Sequence, residues 1–301
     1  MAVCAFRDRL DLAHVCRAGG GKPQVRLLAS YAGGAGQADA LARLRSTHHL
    51  SRFRCVTLLG PGEYQLLQAE APAVPAAELK TALRWRIKDQ LDYPIEAATV
   101  DALLIPGDGA GGGRTPQAFA VAAPKATIGA RVKPFQHGKI PLQAIDIPEL
   151  AQRNVAALLE DENRGLALLA FDGSGGLLTI TYRGELYAFR RMEISAAQLA
   201  SADEERRAQL VDRIALELQR SFDHFDRQYS FVSLKRLVVA EVPGAAWLAP
   251  QLTQHSYLPL DTMDLTPVMD LEAVPELRQP ARQGECLQLL GAALRPEAVA
   301  P

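Results

Sequence analysis

The stretch PAAELKTALRWRIKDQLDYPIEAATVDALLI, from Pro75 to Ile105, carries the most specific pattern in the chain. Pro75 suits the first turn of a helix, where its missing N–H has no intrahelical partner. Trp85 falls among the polar positions of this helix, so its ring requires a second surface to cover it. Apolar residues recur at every fourth position and predict one buried face: Leu79, Leu83, Ile87 and Leu91.

The same stretch predicts where this helix ends and a strand begins. Pro94 disfavours helical backbone at the preceding Tyr93, so the helix is expected to end just before it. Alternation from Ala98 to Ile105 then predicts a strand. Two interpretations of the stretch stand side by side: a helix and strand of an ordinary core, and a docking surface for a partner.

Composition argues against several classes of function. The chain has 301 residues, of which 48% are apolar and 22% charged, and its net charge is −1. This length allows two or more structural units. Without a basic excess, neither nucleic acid nor an anionic bilayer is expected as the main partner. No segment approaches the roughly 18 apolar residues of a membrane span, so no direct membrane insertion is expected.

No motif predicts a catalytic residue or a metal site. The cysteines are scattered, and no two of them have the spacing of a metal site or a redox pair. The pair His48 and His49 lacks acidic or cysteine partners, which favours a helix terminus or plain surface. Asp223, His224 and Asp226 match no metalloprotease pattern and are expected on a solvated helix face.

The order of the predicted elements repeats along the chain. Alternating segments and turn residues predict three strands, a helix and a strand between residues 3 and 59. The same order returns between residues 166 and 240, with a long helix from about Asp203 to Tyr229. Between these halves, Pro134 is expected to interrupt a helix that begins at Lys125. Two such halves, without a dinucleotide fingerprint, predict a duplicated α/β fold of the actin and sugar-kinase kind.

Three segments resemble the MshI proteins of mannose-sensitive haemagglutinin (MSHA) type IV pili. They are LLGPGEYQLLQAEAPAVPAAELKTALRWRIKDQLDYPIEAATVD (Leu58 to Asp101), IDIPELAQRNVAALLE (Ile145 to Glu160) and IALELQRSFDHFDRQYSFVSLKRLVVAE (Ile214 to Glu241). The final GAALR, Gly291 to Arg295, is similar too. More distantly, the chain resembles PilM of type IV pilus systems and the cytoplasmic part of GspL in type II secretion.

This resemblance implies an actin-like fold with an inserted small α/β subdomain, as in PilM and the cell-division protein FtsA. The first actin-like half is expected at residues 1–73 and 140–163. The insert is expected at residues 74–139, and the second half at residues 164–301.

The resemblance also bears on nucleotide binding. PilM has an Asp-Ile-Gly type turn where this chain has Cys4 to Arg9, and consecutive glycines where it has Ala240 to Gly244. Asp172, Gly173 and Ser174 keep a hairpin that could accept a phosphate and a hydrated Mg²⁺, but they also make a plain hairpin turn. A vestigial nucleotide site, no ATPase activity and no cofactor are expected. The alternative hypothesis is a nucleotide-binding actin-like ATPase of the PilM/FtsA kind, which would have ATP and Mg²⁺ as cofactors. A sugar-kinase-like enzyme is a third hypothesis.

The positive function that the resemblance implies is that of an adaptor. PilM captures the cytoplasmic N-terminal peptide of the bitopic protein PilN. This chain is therefore expected to bind the tail of a PilN-like protein and to link it to the pilus assembly ATPase, at the cytoplasmic face of the bacterial inner membrane. An extended peptide is expected, in a groove walled by Trp85, Tyr93 and Ile95. Arg84 or Arg86 is available for an acidic or carbonyl contact.

Overall fold

The computed structural model describes residues 1–5, 9–17, 21–32, 37–107 and 115–296, without the side chains of residues 37 and 38. The chain divides into two compact units. The larger unit consists of Met1–Tyr31 and Pro148–Pro301, and the smaller one of Ala32–Ile147. None of the helices in the described ranges is long and apolar enough to span a bilayer.

The helices and strands are numbered along the chain. The strands are β1 (Ala2–Ala5), β2 (Arg9–Cys16), β3 (Gln24–Ala32), β4 (Cys55–Leu58), β5 (Gln65–Glu70), β6 (Ala98–Ile105), β7 (Gln117–Pro124), β8 (Leu142–Asp146), β9 (Gly165–Asp172), β10 (Gly175–Tyr182), β11 (Glu185–Met192), β12 (Leu234–Val239) and β13 (Leu260–Thr262). The α-helices are α1 (Gln37–Thr47), α2 (Ala76–Arg86), α3 (Lys125–His137), α4 (Pro148–Leu159), α5 (Ala196–Ala200), α6 (Glu204–Gln228), α7 (Leu248–Thr253) and α8 (Pro280–Ala293).

The larger unit contains a five-stranded sheet in the order β11-β10-β9-β12-β13. Strands β9, β10 and β11 form an antiparallel meander, and β12 pairs in parallel with both β9 and β13. Helix α6 begins where the Asp203 side chain accepts a hydrogen bond from the Arg206 amide, at 2.9 Å. Its apolar residues at 3.6-residue spacing are buried: Leu210, Val211, Ile214, Leu218, Phe222 and Phe225.

Helices α4 and α8 of the larger unit cross closely enough to require glycine. A Cβ atom added to Gly291 of α8 would lie 2.0 Å from the backbone oxygen of Ala151 in α4. At the same crossing the Asn154 side-chain amide donates to the Gly291 oxygen at 2.9 Å. The two backbones therefore meet directly at the crossing, with no side chain between them.

Both halves of the chain use the same order of strand pairing. In the first half, β1 pairs antiparallel with β2, β3 lies next to β2, and β4 later pairs in parallel with β8. In the second half, β9 to β11 form the antiparallel meander, and β12 and β13 form the parallel pair. The predicted duplication is present in these described strands.

The smaller unit holds a three-stranded antiparallel sheet in the order β5-β7-β6, with α2 packed on one face. Small side chains on β7 let α2 approach the sheet, where Leu83 is buried against Ala118. Strand β5 belongs to this sheet although it precedes residue 74, the expected start of the insert. The predicted domain boundaries stay a prediction.

Two predicted helices differ in the structure. Helix α2 ends at Arg86 instead of continuing through Leu91, and a 3₁₀ turn, Lys88–Gln90, follows it. The Gln65 side chain of β5 explains the earlier end, because it donates to the Gln90 oxygen at 3.4 Å and accepts from the Asp92 amide at 3.3 Å. It thus fixes the main chain on both sides of Leu91, whose backbone is extended and not helical.

Helix α3 contains the second difference, because it continues past Pro134 to His137. A proline removes one helical hydrogen bond, and its ring crowds the carbonyl four residues earlier. Here only one more turn follows: the Gly138 amide donates to the Pro134 oxygen at 2.9 Å, and the helix then ends. Proline therefore lies in the last turn of α3, where its cost is small.

Candidate functional site

Trp85 lies on the face of α2 that points away from the three-stranded sheet. Leu79 and Leu83 of the same helix are buried against that sheet. Trp85 follows Leu83 by two positions, which turns it about 200° around the helix. Its side chain is 59% exposed. The prediction that Trp85 lies outside the buried stripe is confirmed, and more than half of its surface stays open to solvent.

Ile95 and Tyr93 lie in the loop between α2 and β6, and both contribute to the core of the smaller unit. Ile95 is only 7% exposed and packs with Ile87 and Val100, so its side chain fills the core in this structure. Tyr93 is half-buried against the same cluster. Burial, and then the charge of Asp92, raises the pKa of the Tyr93 hydroxyl, which has no hydrogen-bond partner among the described residues.

The two arginines of α2 point to different edges of the sheet. The Arg84 guanidinium donates to the Ile95 main-chain oxygen at 2.7 Å, which places it beside the start of β6. Arg86 instead lies 3.4 Å from the Glu70 carboxylate of β5, and both side chains are largely exposed. An exposed pair of this kind adds little stability. The structure thus brings Arg84, Tyr93 and Ile95 together, and places Trp85 and Arg86 on other sides of α2.

Sequence reasoning missed two residues on β6. Leu104 is 51% exposed, although it lies on the same face of the strand as buried Val100. Asp101 on the other face is 73% exposed and lies 3.1 Å from the Lys80 ammonium. Alternation alone placed Leu104 on the covered face, but it could not show that α2 leaves this end of the sheet uncovered.

The hairpin between β9 and β10 contains the predicted vestigial nucleotide residues. Asp172 Oδ1 accepts hydrogen bonds from the Ser174 amide at 2.7 Å and the Gly175 amide at 3.2 Å, and the Ser174 hydroxyl donates to the same oxygen. A phosphate held by this hairpin would need the same amides. In this structure the Asp172 carboxylate occupies them.

Close packing explains why Gly175 and Gly176, which follow in this hairpin, are glycines. Gly175 has φ of 145°, and a Cβ added there would lie 2.6 Å from the Met192 oxygen. A Cβ on Gly176 would lie 2.5 Å from the Phe171 ring. Gly173 differs from them, since nothing lies within 4 Å of its added Cβ.

The turn after β12, where an actin-like protein would hold adenosine, is tightly packed. A Cβ added to Gly284 of α8 would lie 2.1 Å from the Glu241 backbone oxygen. The cavity at this turn measures about 10 Å³, between Ala240, Val242, Ala249 and neighbouring residues. Such a volume holds about one water molecule. The other predicted departure, at Cys4 to Arg9, includes residues 6–8, which lie outside the described residues.

Comparison with solved structures identifies the fold. A chain of the PilM–PilN type IV pilus biogenesis complex superposes with a TM-score of 0.74 at 19% identity, over 97% of this chain and 96% of that chain. The cytoplasmic domain of EpsL, an inner-membrane component of the Vibrio cholerae type II secretion system, gives 0.41 at 16% identity, over 67% and 74%. The ethanolamine utilization protein EutJ from Carboxydothermus hydrogenoformans gives 0.48 at 11% identity, over 97% and 88%.

No protein-family model matches the chain, and no curated protein matches its sequence. The fold assignment therefore comes from the nearly complete superposition on the PilM–PilN complex chain and from the repeated strand order. Together they confirm the predicted fold class, a duplicated actin-like α/β fold.

Proposed function

We propose that this protein is a non-catalytic adaptor of a type IV pilus assembly machine, of the MshI kind, that binds the cytoplasmic N-terminal tail of a PilN-like inner-membrane protein. The observation that carries the proposal is the exposed Trp85 on a helix whose stripe of leucines is buried. The likeness to a chain that assembles with PilN supports the choice of partner. The MshI assignment rests on the sequence segments quoted above.

A tryptophan in this position gives a partner a large contact at small cost. Its ring can bury roughly 150–250 Å². Holding it costs little conformational entropy, because two side-chain torsions fix it. Tryptophan is also enriched among residues that dominate binding free energy. Arg84 lies one position before it and uses one of its five N–H donors on Ile95, so the others can bind a carboxylate or carbonyl of the tail.

The non-catalytic part of the proposal rests on the two loops of the larger unit. The Asp172 carboxylate already bonds the amides that a phosphate would need. The cavity lined by Glu241, Val242 and Ala249 has a volume of about 10 Å³, too little for an adenine ring. A glutamate at that turn also adds negative charge close to where a triphosphate would lie.

A nucleotide-binding actin-like ATPase of the PilM/FtsA kind is the second candidate. The open space beside Gly173 favours it, because a ligand backbone or phosphate could approach there without meeting a side chain. In that case ATP and Mg²⁺ would be the cofactors. The adaptor is preferred because the Asp172 carboxylate bonds the amides of the retained hairpin, and because the turn at Glu241 departs from the glycines that a nucleotide needs.

We also propose where the adaptor works. Bound to the tail of an inner-membrane protein, it would be held at the cytoplasmic face of that membrane and would link the tail to the pilus assembly ATPase. The near-neutral charge fits attachment through a protein instead of through anionic lipid.

Calorimetric titration of a synthetic tail peptide into the wild-type protein and Trp85→Ala tests the proposal. The substitution is expected to weaken binding about 30-fold, as expected for a central contact residue. Leu216→Ala is the matched control, since Leu216 is an apolar residue of α6 that is 46% exposed. Unchanged affinity in a Trp85→Ala protein with a native circular dichroism spectrum would remove Trp85 from the interface.

A further inference from the structure

Strand β6 is one of the two end strands of the three-stranded sheet, and its protection against further pairing comes from the Asp101 carboxylate, which caps the Ala102 amide. Its partner is β7, from Ala98 opposite Pro124 to Ile105 opposite Gln117. Edge strands usually carry prolines, lysines or bulges that prevent another strand from adding. The sequence ATVDALLI has one charged residue, Asp101, and no proline. A regular eight-residue edge of this kind can accept another strand.

The main-chain groups that face outward from β6 can be identified. In an antiparallel pair, successive residues point their N–H and C=O groups alternately toward the partner strand and away from it. Ala98 lies opposite Pro124, which has no N–H to donate. The Ala102 amide donates to the Asp101 carboxylate at 3.0 Å, so this outward amide is already paired in the protein without a partner. The outward groups therefore belong to the even-numbered residues Val100, Ala102 and Leu104.

The side chains along this edge define the chemistry of a partner. Leu104, 51% exposed, offers an apolar contact on the α2 side of the sheet. The Asp101 side chain, 73% exposed, starts on the opposite face, and its carboxylate turns to the edge of β6, where it accepts from the Ala102 amide and lies 3.1 Å from Lys80 of α2. Both side chains of the Asp101 and Lys80 ion pair are exposed, so water screens their attraction. Another cation can therefore replace Lys80 at little cost in free energy.

We propose that the edge of β6 receives an extended segment of the partner as a fourth strand, with a basic side chain on Asp101 and an apolar one on Leu104. The proposal rests on the proposed function, in which the segment is the cytoplasmic tail. Side chains alternate between faces of an added strand. The segment therefore has apolar residues at alternate positions, opposite Val100, Ala102 and Leu104, and a lysine or arginine opposite Asp101.

This strand addition connects the edge of the sheet with Trp85. Arg84 lies on the β6 side of α2, as its 2.7 Å bond to the Ile95 oxygen shows, and the 3₁₀ turn Ile95–Ala97 leads directly into β6. A segment that continues past the Ala98 end of β6 therefore meets Arg84 first and Trp85 next. Main-chain bonds along β6 supply affinity, and Asp101, Leu104 and Trp85 supply specificity.

N-methylation of alternate amides in the tail peptide tests the proposed strand addition on the wild-type protein. Two peptides are compared by calorimetry, one methylated on the odd amides and the other on the even amides of the segment. Only one set faces β6, so one peptide is expected to lose on the order of a hundredfold in affinity and the other to bind nearly as well as the parent. Equal effects of the two methylation patterns would overturn strand addition.

Variants of the protein test whether the peptide binds at the edge of β6. Asp101→Lys is expected to lower the affinity for the parent peptide roughly tenfold, because it places a lysine opposite the basic residue of the peptide. Ala102→Pro removes the outward N–H, which bonds the Asp101 carboxylate in the protein without a partner, and is expected to block the edge while leaving the β6 and β7 pairing intact. Asp89→Lys, the same charge change on the exposed 3₁₀ turn, is the control and is expected to bind within about twofold of wild type.

The outcomes separate the two proposals. If the wild-type protein fails to bind the tail at all, the proposed function fails. If the tail binds and depends on Trp85, but Asp101→Lys and Ala102→Pro bind it normally, the adaptor stands and the β6 edge is rejected.

Discussion

The crossing of α4 and α8 and the outer surface around α2 and β6 differ in how well packing accounts for their residues. At the crossing, Gly291 is required because a side chain would enter the backbone of α4. On the outer surface, Trp85 and Leu104 are large apolar side chains that stay more than half exposed. A residue such as Gly291, which the packing of the protein requires, tells us about the fold. A large apolar residue that stays exposed to water, and that packing does not require, indicates a surface for a partner.

The largest expected effect is at the crossing. Gly291→Ala would place a methyl group 2.0 Å from the Ala151 oxygen, so one of the two helices must move. We expect a loss of more than about 3 kcal/mol in the free energy of unfolding, measured by urea denaturation. Moving either helix also strains the bond from the Asn154 side-chain amide to the main-chain oxygen of residue 291, which adds to this cost.

Gly129→Ala is the matched control for this substitution. Gly129 lies inside α3, and nothing lies within 4 Å of its added Cβ. The same chemical change is therefore expected to stabilise the protein by about 1 kcal/mol, because alanine favours helix. Similar effects of the two glycine substitutions would mean that α4 and α8 do not meet as closely as described.

Two leucines of the smaller unit allow the same comparison between a buried and an exposed side chain. Leu83 is fully buried, so Leu83→Ala is expected to cost about 3 kcal/mol in unfolding free energy. Leu104→Ala is expected to change it by less than about 0.5 kcal/mol, since the side chain is already half in water. A large loss of stability at Leu104 would show that its side chain serves the fold, and would weaken the case for the β6 edge.

A smaller effect is expected from pH at Glu160, which belongs to the larger unit. Burial, the largest influence, raises the pKa of this carboxyl above its ordinary value of 4.5. The folded state then favours the protonated form, so its contribution to stability is complete below pH 4.5 and is lost as pH rises through the folded pKa. The stability of wild type relative to Glu160→Gln should fall over that window.

Denaturation curves at several pH values measure this difference. Glu162→Gln is the control, because Glu162 is exposed and only two positions away. A constant difference between wild type and Glu160→Gln across the window would contradict the stated effect of burial.

The smallest expected effect on stability is at Trp85. Trp85→Ala should change the unfolding free energy by less than about 0.5 kcal/mol, although tryptophan is the largest side chain. Thermal denaturation measures this, and a large destabilisation would mean that Trp85 belongs to the core. The substitution is informative because the same variant is expected to lose tail binding.

The repeated order of strands and helices could be predicted from the sequence, because α6 buries one regular face and β9 and β10 are apolar runs bounded by turn residues. Helix α8 was not predicted. It buries Gln283, Cys286, Leu289 and Gly291 on several sides, so its sequence has no single apolar stripe. The early end of α2 was also missed, because it depends on a side chain of β5, Gln65, that is distant in sequence.

The candidate site was predictable to a similar extent. Helical spacing alone placed Trp85 outside the buried stripe. It could not show that Ile95 enters the core, or that Arg84 is held by the Ile95 oxygen, because both depend on how the loop before β6 folds back on the sheet. The exposure of Leu104 depends in the same way on where α2 lies.

Titration calorimetry of one wild-type preparation, first with Mg·ATP and then with the tail peptide, tests the central claim most directly. The account predicts no detectable heat of binding for Mg·ATP and saturable binding of one peptide per chain. Micromolar binding of Mg·ATP together with no binding of the peptide would contradict it and would favour the ATPase.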